Sequence, residues 1–536
     1  MRTRRWCTGA LGRFGGAGAV LGAGGLAVVL AVTTGSARPP ADAYVPLPFY
    51  GQDIAWSPCF TQAELDAVDA DAGGGTPPWM AQLECGTLTV PVDYGSPDGE
   101  TVGIALARRP AHGPESERRG SLVVDFGGPG VSTVDGMRNP FLGERVQASF
   151  DLVGFDPRGV GRSGGLDCDG SRAWERELER VAPGDPAAKT AADLRGLGEA
   201  AEAYGHSCAE AVGGEFLSRM GTVNVVRDLD VLRDALGDEG LTYVGYSYGT
   251  HVGALYADMF PDRTRALVLD GVVDTAPSNA RLAVEVQEAF QDSWEMVAEH
   301  CARTVEGCPF TSGRAAVKET PALLERFDRD RPTVRGRTVT GEMLAEMVAT
   351  QLYDEWTWDY LAGFFTDLAE GDTGSETYRR YLEYMYDRAF GEEADEDADA
   401  YTAVMCADRD DPEDLSAYRE AVEAAELRAP LFGGAPVWAT ASCARWPLAE
   451  TGAQEFTASA APPIVLVGNA GDPATPYRWA QRMHARLTTS VLVTYEGGGH
   501  TVYGRGKSAC VDDPLDEYLI SGKVPEHGLT CPQVLA

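Results

Sequence analysis

The amino-acid sequence predicts an α/β fold of the doubly wound kind, with a mostly parallel central sheet flanked by helices. Three observations carry that prediction. First, six short runs are almost continuously apolar: SLVVDF at 121–126, FDLVGF at 150–155, LTYVGY at 241–246, ALVLDG at 266–271, PIVLVG at 463–468 and SVLVTY at 490–495. Strands buried on both faces, as in a parallel sheet, have that composition. Second, most of these runs lead into glycine-bearing turns, and helical periodicity lies between them. Val225, Leu229, Leu232 and Leu236 are spaced 4, 3 and 4, one face of a helix that starts near Thr222 or Asn224. Third, strand and helix signals alternate along the chain, which is how α/β architectures are written.

In chain order, Arg2, Arg4, Arg5 and Arg13 make a basic start, and no further charge appears until Arg38. Between them GAGAVLGAGGLAVVLAV is apolar, and Gly35-Ser36-Ala37 supplies small residues for cleavage, with a second such site at Ala41-Asp42-Ala43. Residues 1–37 therefore read as a secretory signal peptide, and an uncleaved N-terminal anchor is the rival reading. Arg4-Arg5 raises a twin-arginine signal, but Cys7 stands where that motif prefers an apolar residue. No second long apolar span follows, so the mature chain is expected outside the cell without stable membrane insertion. Two more strand signals, ECGTLTVPVDY from Glu84 and TVGIALARR, flank the turn Ser96-Pro97-Asp98-Gly99.

Residues 38–279 read as the first part of the core and 451–536 as the second. Between them, 280–450 breaks the alternation: it is helix-rich and holds Trp294, Trp356, Trp358, Trp438 and Trp446 of the chain's 10 tryptophans. Aromatics at that density point to a small core of the segment's own, ahead of an apolar wall. An insertion of this size before the last core strands reads as a helical cap or lid. The acidic run EEADEDAD at 392–399 reads as a solvated loop.

With 44% apolar residues the chain can bury a core, which excludes wholesale disorder. Asp and Glu number 81 against 45 Lys and Arg, a net charge of −36, which argues against a nucleic-acid partner. The same field attracts cationic groups such as a peptide's free amine. Of the 11 cysteines, Cys7 leaves with the signal, and an even number in an exported chain implies disulfides. Pairing in chain order, Cys59 with Cys85, Cys168 with Cys208, Cys301 with Cys308, Cys406 with Cys443 and Cys510 with Cys531, keeps every partner close in sequence. There is no CxxC, paired Cys/His spacing or HExxH, so no metal is expected. Oligomeric state leaves no trace in the sequence.

The strongest chemical signal is Gly245-Tyr246-Ser247-Tyr248-Gly249, a G-x-S-x-G pattern after a strand and before a helix rich in small residues. A nucleophilic serine needs that sharp turn to lift its hydroxyl above the sheet. A base is required, and His500 in Gly497-Gly498-Gly499-His500-Thr501 comes just after the last strong strand. His112, His206, His251, His300, His484 and His527 lack that setting. His251, four residues past Ser247, is expected beside the helix body. The acid that orients the imidazole is assigned to Asp472, after the preceding strand, with Asp270 and Asp274 as competitors. Gly127-Gly128-Pro129-Gly130 offers an oxyanion donor; Pro129 has no N–H, which favours Gly128, and Tyr248 supplies the second. Gly159–Gly164 fits G-x-G-x-x-G, but no acidic strand end follows at the right distance, and a nicotinamide does not suit an exported protein. No cofactor is expected, and Asp156 and Arg158 are read as bracing neighbouring loops.

Taken in order, FGGPG, FDPRGVGRS, GYSYGT, GDPATPY and GGGHTVY resemble the secreted tripeptidyl aminopeptidase group of α/β-hydrolases, which is related to the prolyl aminopeptidases. The resemblance covers nearly all the mature chain, including Trp56-x-x-Cys59. It implies an α/β-hydrolase fold, Ser247, Asp472 and His500 as a triad, and removal of short peptides from free N-termini. The group also contains esterases, so a carboxylesterase using the same three residues is the alternative. Phe126 precedes GGPG where prolyl aminopeptidases have His, which departs from strict prolyl specificity. Asp408 and Glu355 are the candidates for holding a substrate ammonium.

Overall fold

The computed structural model describes residues 48–66, 80–139, 141–390, 398–447 and 455–534. The expected signal peptide and nearly all of the acidic run lie outside the described residues. The strands are β1 (Ser57–Pro58), β2 (Glu84–Pro91), β3 (Thr101–Arg109), β4 (Ser121–Asp125), β5 (Asp151–Phe155), β6 (Leu241–Tyr246) and β7 (Thr264–Asp270), then β8 (Thr333–Val334), β9 (Arg337–Thr338), β10 (Val465–Gly471), β11 (Val491–Gly498) and β12 (Thr530–Cys531). All but the β8–β9 hairpin form one sheet in the order β1-β2-β3-β5-β4-β6-β7-β10-β11-β12. From β5 to β12 each neighbouring pair is parallel, while β1, β2 and β3 form an antiparallel edge.

The six apolar runs form β4, β5, β6, β7, β10 and β11, because helices cover both faces of the sheet. Alternate side chains divide between two cores: Val123, Tyr243, Leu267 and Leu466 face one, and Val124, Val244, Val268 and Val465 face the other. Helix Thr222–Ala235 buries Val225, Leu229 and Leu232 against the first. Two-residue β1 and β12 carry no sequence periodicity. Each lies beside a disulfide, Cys59–Cys85 at the first edge and Cys510–Cys531 at the last. Cys168–Cys208, Cys301–Cys308 and Cys406–Cys443 complete the chain-order pairing.

Between β7 and β10 the described residues form helices and the small hairpin, but they do not share one core. Trp294, Phe310, Phe327, Trp358 and Phe365 build a separate cluster, with Trp294 edge-on to Phe310 at 5.4 Å. Trp438 and Trp446 instead join the sheet's core, Trp446 meeting Tyr204 at 5.9 Å, and Trp356 is exposed. The expectation of one core for all the tryptophans is corrected accordingly: most of the stretch after the acidic run packs on the sheet side, while Leu431 and Phe432 meet the separate cluster. Helix Asn279–Thr304, 26 residues, belongs to both clusters, through Ala280 and Val284 on one side and Trp294 and Val297 on the other. Among the described residues no helix is long and apolar enough to cross a membrane.

Candidate active site

Ser247 sits between the end of β6 and helix Gly249–Met259 with φ of 54°. A non-glycine residue occupies that left-handed region only where its surroundings hold it there. The flanking glycines are dictated by space. A Cβ on Gly245 would lie 2.3 Å from Gly249 O, and one on Gly249 would lie 2.8 Å from Asp125 O. Ser247 N–H donates to Asp270 O at 2.9 Å, fastening the turn to β7. Tyr243 OH donates to Gly249 O at 2.8 Å from below.

His500 comes two residues after the end of β11, and its Nδ1 lies 3.0 Å from both carboxylate oxygens of Asp472, in the loop after β10. Asp472 is buried and also accepts from Ala474 N (2.9 Å), Thr475 N (2.8 Å) and Thr475 Oγ1 (2.9 Å). The backbone N–H of His500 donates to Tyr353 O at 2.8 Å. The competing acids have other partners. Asp270 accepts Val502 N and Tyr503 N at 2.7 and 2.8 Å, fixing the loop beyond His500, and burial pushes its carboxyl up to about 6. Asp274 pairs with Arg482 at 2.5 Å and Arg486 at 3.5 Å. His251 is buried beside the helix body, stacked on Phe456 at 6.2 Å, and burial pushes its pKa down to about 3.

The Gly127–Gly130 loop lies directly against the elbow: a Cβ on Gly127 would be 2.9 Å from Tyr248 N. Gly127 N–H is committed to Asp125 Oδ1 at 2.8 Å, which leaves Gly128 as the next donor before Pro129. In the G-x-G-x-x-G turn, Asp156 accepts from Ser132, Val134 N and Arg162 N, and Arg158 is buried on Asp228 at 2.6 Å.

Neither Asp408 nor Glu355 is placed to receive a substrate amine, and that expectation is corrected. Asp408 accepts Thr222 N (2.7 Å) and Thr222 Oγ1 (2.5 Å), and the same hydroxyl contacts Tyr248 OH at 2.5 Å. Glu355 accepts Gly498 N (2.5 Å), Tyr495 OH (2.8 Å) and Gln533 Nε2 (2.8 Å). Both carboxylates hold the backbone around the site.

Ser247, Tyr248, Gly128 and His500 open onto a cavity of about 1360 Å³ whose far wall is made by the inserted helices. Acidic side chains outnumber basic ones in its lining. On helix Gly341–Gln351, Glu342 and Glu346 both line it, and Glu342 Oε1 and Glu346 Oε2 are buried with no hydrogen-bond partner among the described residues. Burial and the Glu342 charge push the Glu346 carboxyl up to about 8; burial and Asp328 raise Glu342 too. Sequence reasoning missed this pair. Its signal was two acids at i and i+4 in GEMLAEMVAT with no Lys or Arg one turn away.

A strained serine at the crest of a parallel sheet, opening onto the same cavity as an imidazole held by a carboxylate from the neighbouring strand end, marks a serine hydrolase of the α/β-hydrolase class. Similarity along most of the chain narrows the class. Residues 429–531 match the family of TAP-like proteins. The chain is 34% identical over 506 residues to "Serine protease Hip1" of Mycobacterium tuberculosis, covering 90% of this chain and 92% of that one. It is 31% identical over 481 residues to "Tripeptidyl aminopeptidase" of Streptomyces lividans, covering 88% and 87%. To "Carboxylesterase B" of Mycobacterium tuberculosis it is 32% identical over 467 residues, covering 83% and 86%. The chain belongs to the tripeptidyl aminopeptidase group of α/β-hydrolases.

Proposed function

We propose that this protein is an exported serine exopeptidase that releases short peptides from free N-termini, with Ser247, Asp472 and His500 as its triad. The observation that carries the reading is the single cavity shared by Ser247, His500 and the Glu342–Glu346 pair, each of which keeps a buried oxygen with no partner among the described residues. Ser247 Oγ attacks the scissile carbonyl while His500 takes its proton, and Asp472 holds the imidazole and stabilises its charged form. Gly128 N–H and Tyr248 N–H receive the developing oxyanion. His500 then protonates the leaving amine, and water releases the acyl segment with the imidazole acting as base. The substrate ammonium supplies the counter-charge that Glu342 and Glu346 lack. Inserted helices closing the far end limit how much chain lies beyond the scissile bond.

Export is supported by the sequence of residues 1–37 and by five disulfides, which persist in oxidising compartments. A carboxylesterase remains the second reading, favoured by the apolar part of the lining, Phe126, Leu282, Phe290, Leu324, Leu431 and Phe432. The test is a panel of aminoacyl, dipeptidyl and tripeptidyl amides, each free and N-acetylated, beside simple esters. Loss of a charge-assisted contact of about 1.5–3 kcal/mol on acetylation lowers kcat/KM by about 10- to 150-fold. Equal rates for free and acetylated forms, with fast ester turnover, would hand the assignment to the esterase.

A further inference from the structure

Arg409 comes immediately after helix Ala398–Asp408, and its side chain lines the same cavity as Ser247 while being only 3% exposed. A guanidinium keeps its proton at any working pH, so the cavity wall contains a buried, permanent cation. Such a charge is stable only where acceptors replace the water it has lost. Here the replacement is incomplete. Among the described residues Arg409 forms no ion pair; a guanidinium nitrogen donates to Met405 Sδ at 3.4 Å, a weak acceptor, and Nε is buried with no partner. Asp408 and Asp411 are close enough to feel the charge. Their oxygens are engaged elsewhere, Asp408 by Thr222 and Asp411 by Asn279 N and Nδ2 at 2.8 and 2.6 Å.

A second unpaired atom lies next to it. Asn279 is buried and lines the cavity; its Nδ2 donates to Met405 O at 2.9 Å as well as to Asp411, which fixes Oδ1 as the acceptor, and Oδ1 has no partner among the described residues. Arg409 and Asn279 therefore flank Met405, one with unused donors and the other with an unused acceptor. Through Asp408, Thr222 and Tyr248 this corner is tied to the residue next to Ser247 in the chain.

We propose that Arg409 and Asn279 form a carboxylate subsite, which selects substrates whose acyl segment carries an acidic side chain. The carboxylate takes the guanidinium fork, and a neighbouring peptide N–H reaches Asn279 Oδ1. The otherwise acidic lining repels a purely anionic ligand. An acyl segment with its ammonium at Glu342–Glu346 and its carboxylate at Arg409 matches both walls. The choice of a peptide rests on the exopeptidase reading; the carboxylate preference does not.

The experiment compares substrate pairs within each enzyme form. One series is peptide amides with Glu or Asp against Gln or Asn at each acyl position. The other is p-nitrophenyl esters of straight-chain acyl groups of increasing length, ending in a carboxylate or in a methyl. For at least one position or chain length, the wild type should favour the carboxylate by about 10- to 150-fold in kcat/KM. In Arg409→Gln that ratio should fall to about 1, and Arg409→Lys should keep part of it, since lysine retains the charge but not the fork. Fluorophosphonate labelling reports whether each variant is folded; if Arg409→Gln does not label, the Arg409→Lys ratio decides. A wild-type ratio near 1 throughout, or a preference undiminished in the variants, overturns the subsite. Inert peptides alongside esters that show the preference would remove the exopeptidase reading and leave the subsite. Free-amine peptides cleaved without that preference would do the reverse.

Discussion

The strand-end loops and the rest of the cavity lining engage their carboxylates to different degrees. Around Ser247 and His500, Asp125, Asp270, Asp408 and Asp472 each accept at least one backbone N–H, although Asp125 Oδ2 and Asp270 Oδ1 are themselves buried with no partner among the described residues. Elsewhere in the cavity lining, Glu342 Oε1, Glu346 Oε2, Arg409 Nε and Asn279 Oδ1 are buried with no partner among the described residues, and neither Glu342 nor Glu346 accepts a backbone N–H there. Buried polar groups in native proteins are ordinarily paired, and exceptions need an explanation. On the proposed function the difference separates two tasks. One side fixes geometry for bond-making, where misplacement by an ångström is costly. The other leaves its hydrogen-bonding capacity to be completed by an entering substrate.

The largest expected effect tests the fixed side. Ser247→Ala should abolish covalent labelling by a fluorophosphonate while far-UV circular dichroism stays unchanged; labelling at the wild-type level would place the nucleophile elsewhere. Next, Asp472→Asn should lower kcat by about 10⁴-fold, the scale seen when the acid of a serine protease triad is lost. Asp274→Asn, which removes a partner of Arg482, should leave kcat far closer to wild type. If the two magnitudes are reversed, the acid has been misassigned.

How far the sequence could reach depends on the same contrast. Ser247, Asp472 and His500 stand at strand ends, and buried parallel strands are conspicuous, so position along the chain already implies proximity. Asp408 and Glu355 are candidates for the amine in sequence terms because both are acidic and lie in the insertion. Their partners, Thr222 and Gly498, are far away in sequence, and only folding shows that these carboxylates are already engaged. Glu342 and Glu346 do not stand out, since a helical acid pair usually faces solvent. The tryptophans are equally opaque: Trp294 and Trp438 look alike in the sequence, and only packing assigns them to different cores.

On the open side the effects are smaller and depend on pH. Glu346→Gln should reduce the preference for free over acetylated substrate by about 10- to 150-fold, measured as a ratio of kcat/KM values. The free enzyme's Glu346 carboxyl is held up at about 8, so near neutrality it is mostly protonated and must lose its proton to bind an ammonium. Affinity for the free-amine substrate should therefore rise with pH up to about 8. It should then fall as the substrate's own α-amino group, with an ordinary pKa of about 7.7–8.0, deprotonates. The acetylated substrate should lack this limb, and matching pH profiles for the two would count against the carboxylate pair. Smallest of all, Tyr248→Phe removes the hydroxyl contact to Thr222 but keeps the backbone N–H. It should cost about 0.5–1.5 kcal/mol of stability by denaturant titration. Its kcat should change by less than about tenfold, at about 1.4 kcal/mol per factor of ten.

Helix Asn279–Thr304 constrains how such an enzyme can be diversified. Its 26 residues, about 39 Å at 1.5 Å per residue, run without interruption from the sheet's core into the core of the insertion. A chimera that exchanges the insertion with a relative's must therefore join two sequences inside a continuous helix. The helical phase at the joint sets which residues face each core, and one residue added or removed turns everything beyond it by about 100°. Exchanges that keep this helix intact and replace only the residues beyond Thr304, up to the edge of the sheet-side packing, preserve that phase. Substrate range in this scaffold is accordingly easier to vary by substitution along the wall than by transplanting it whole.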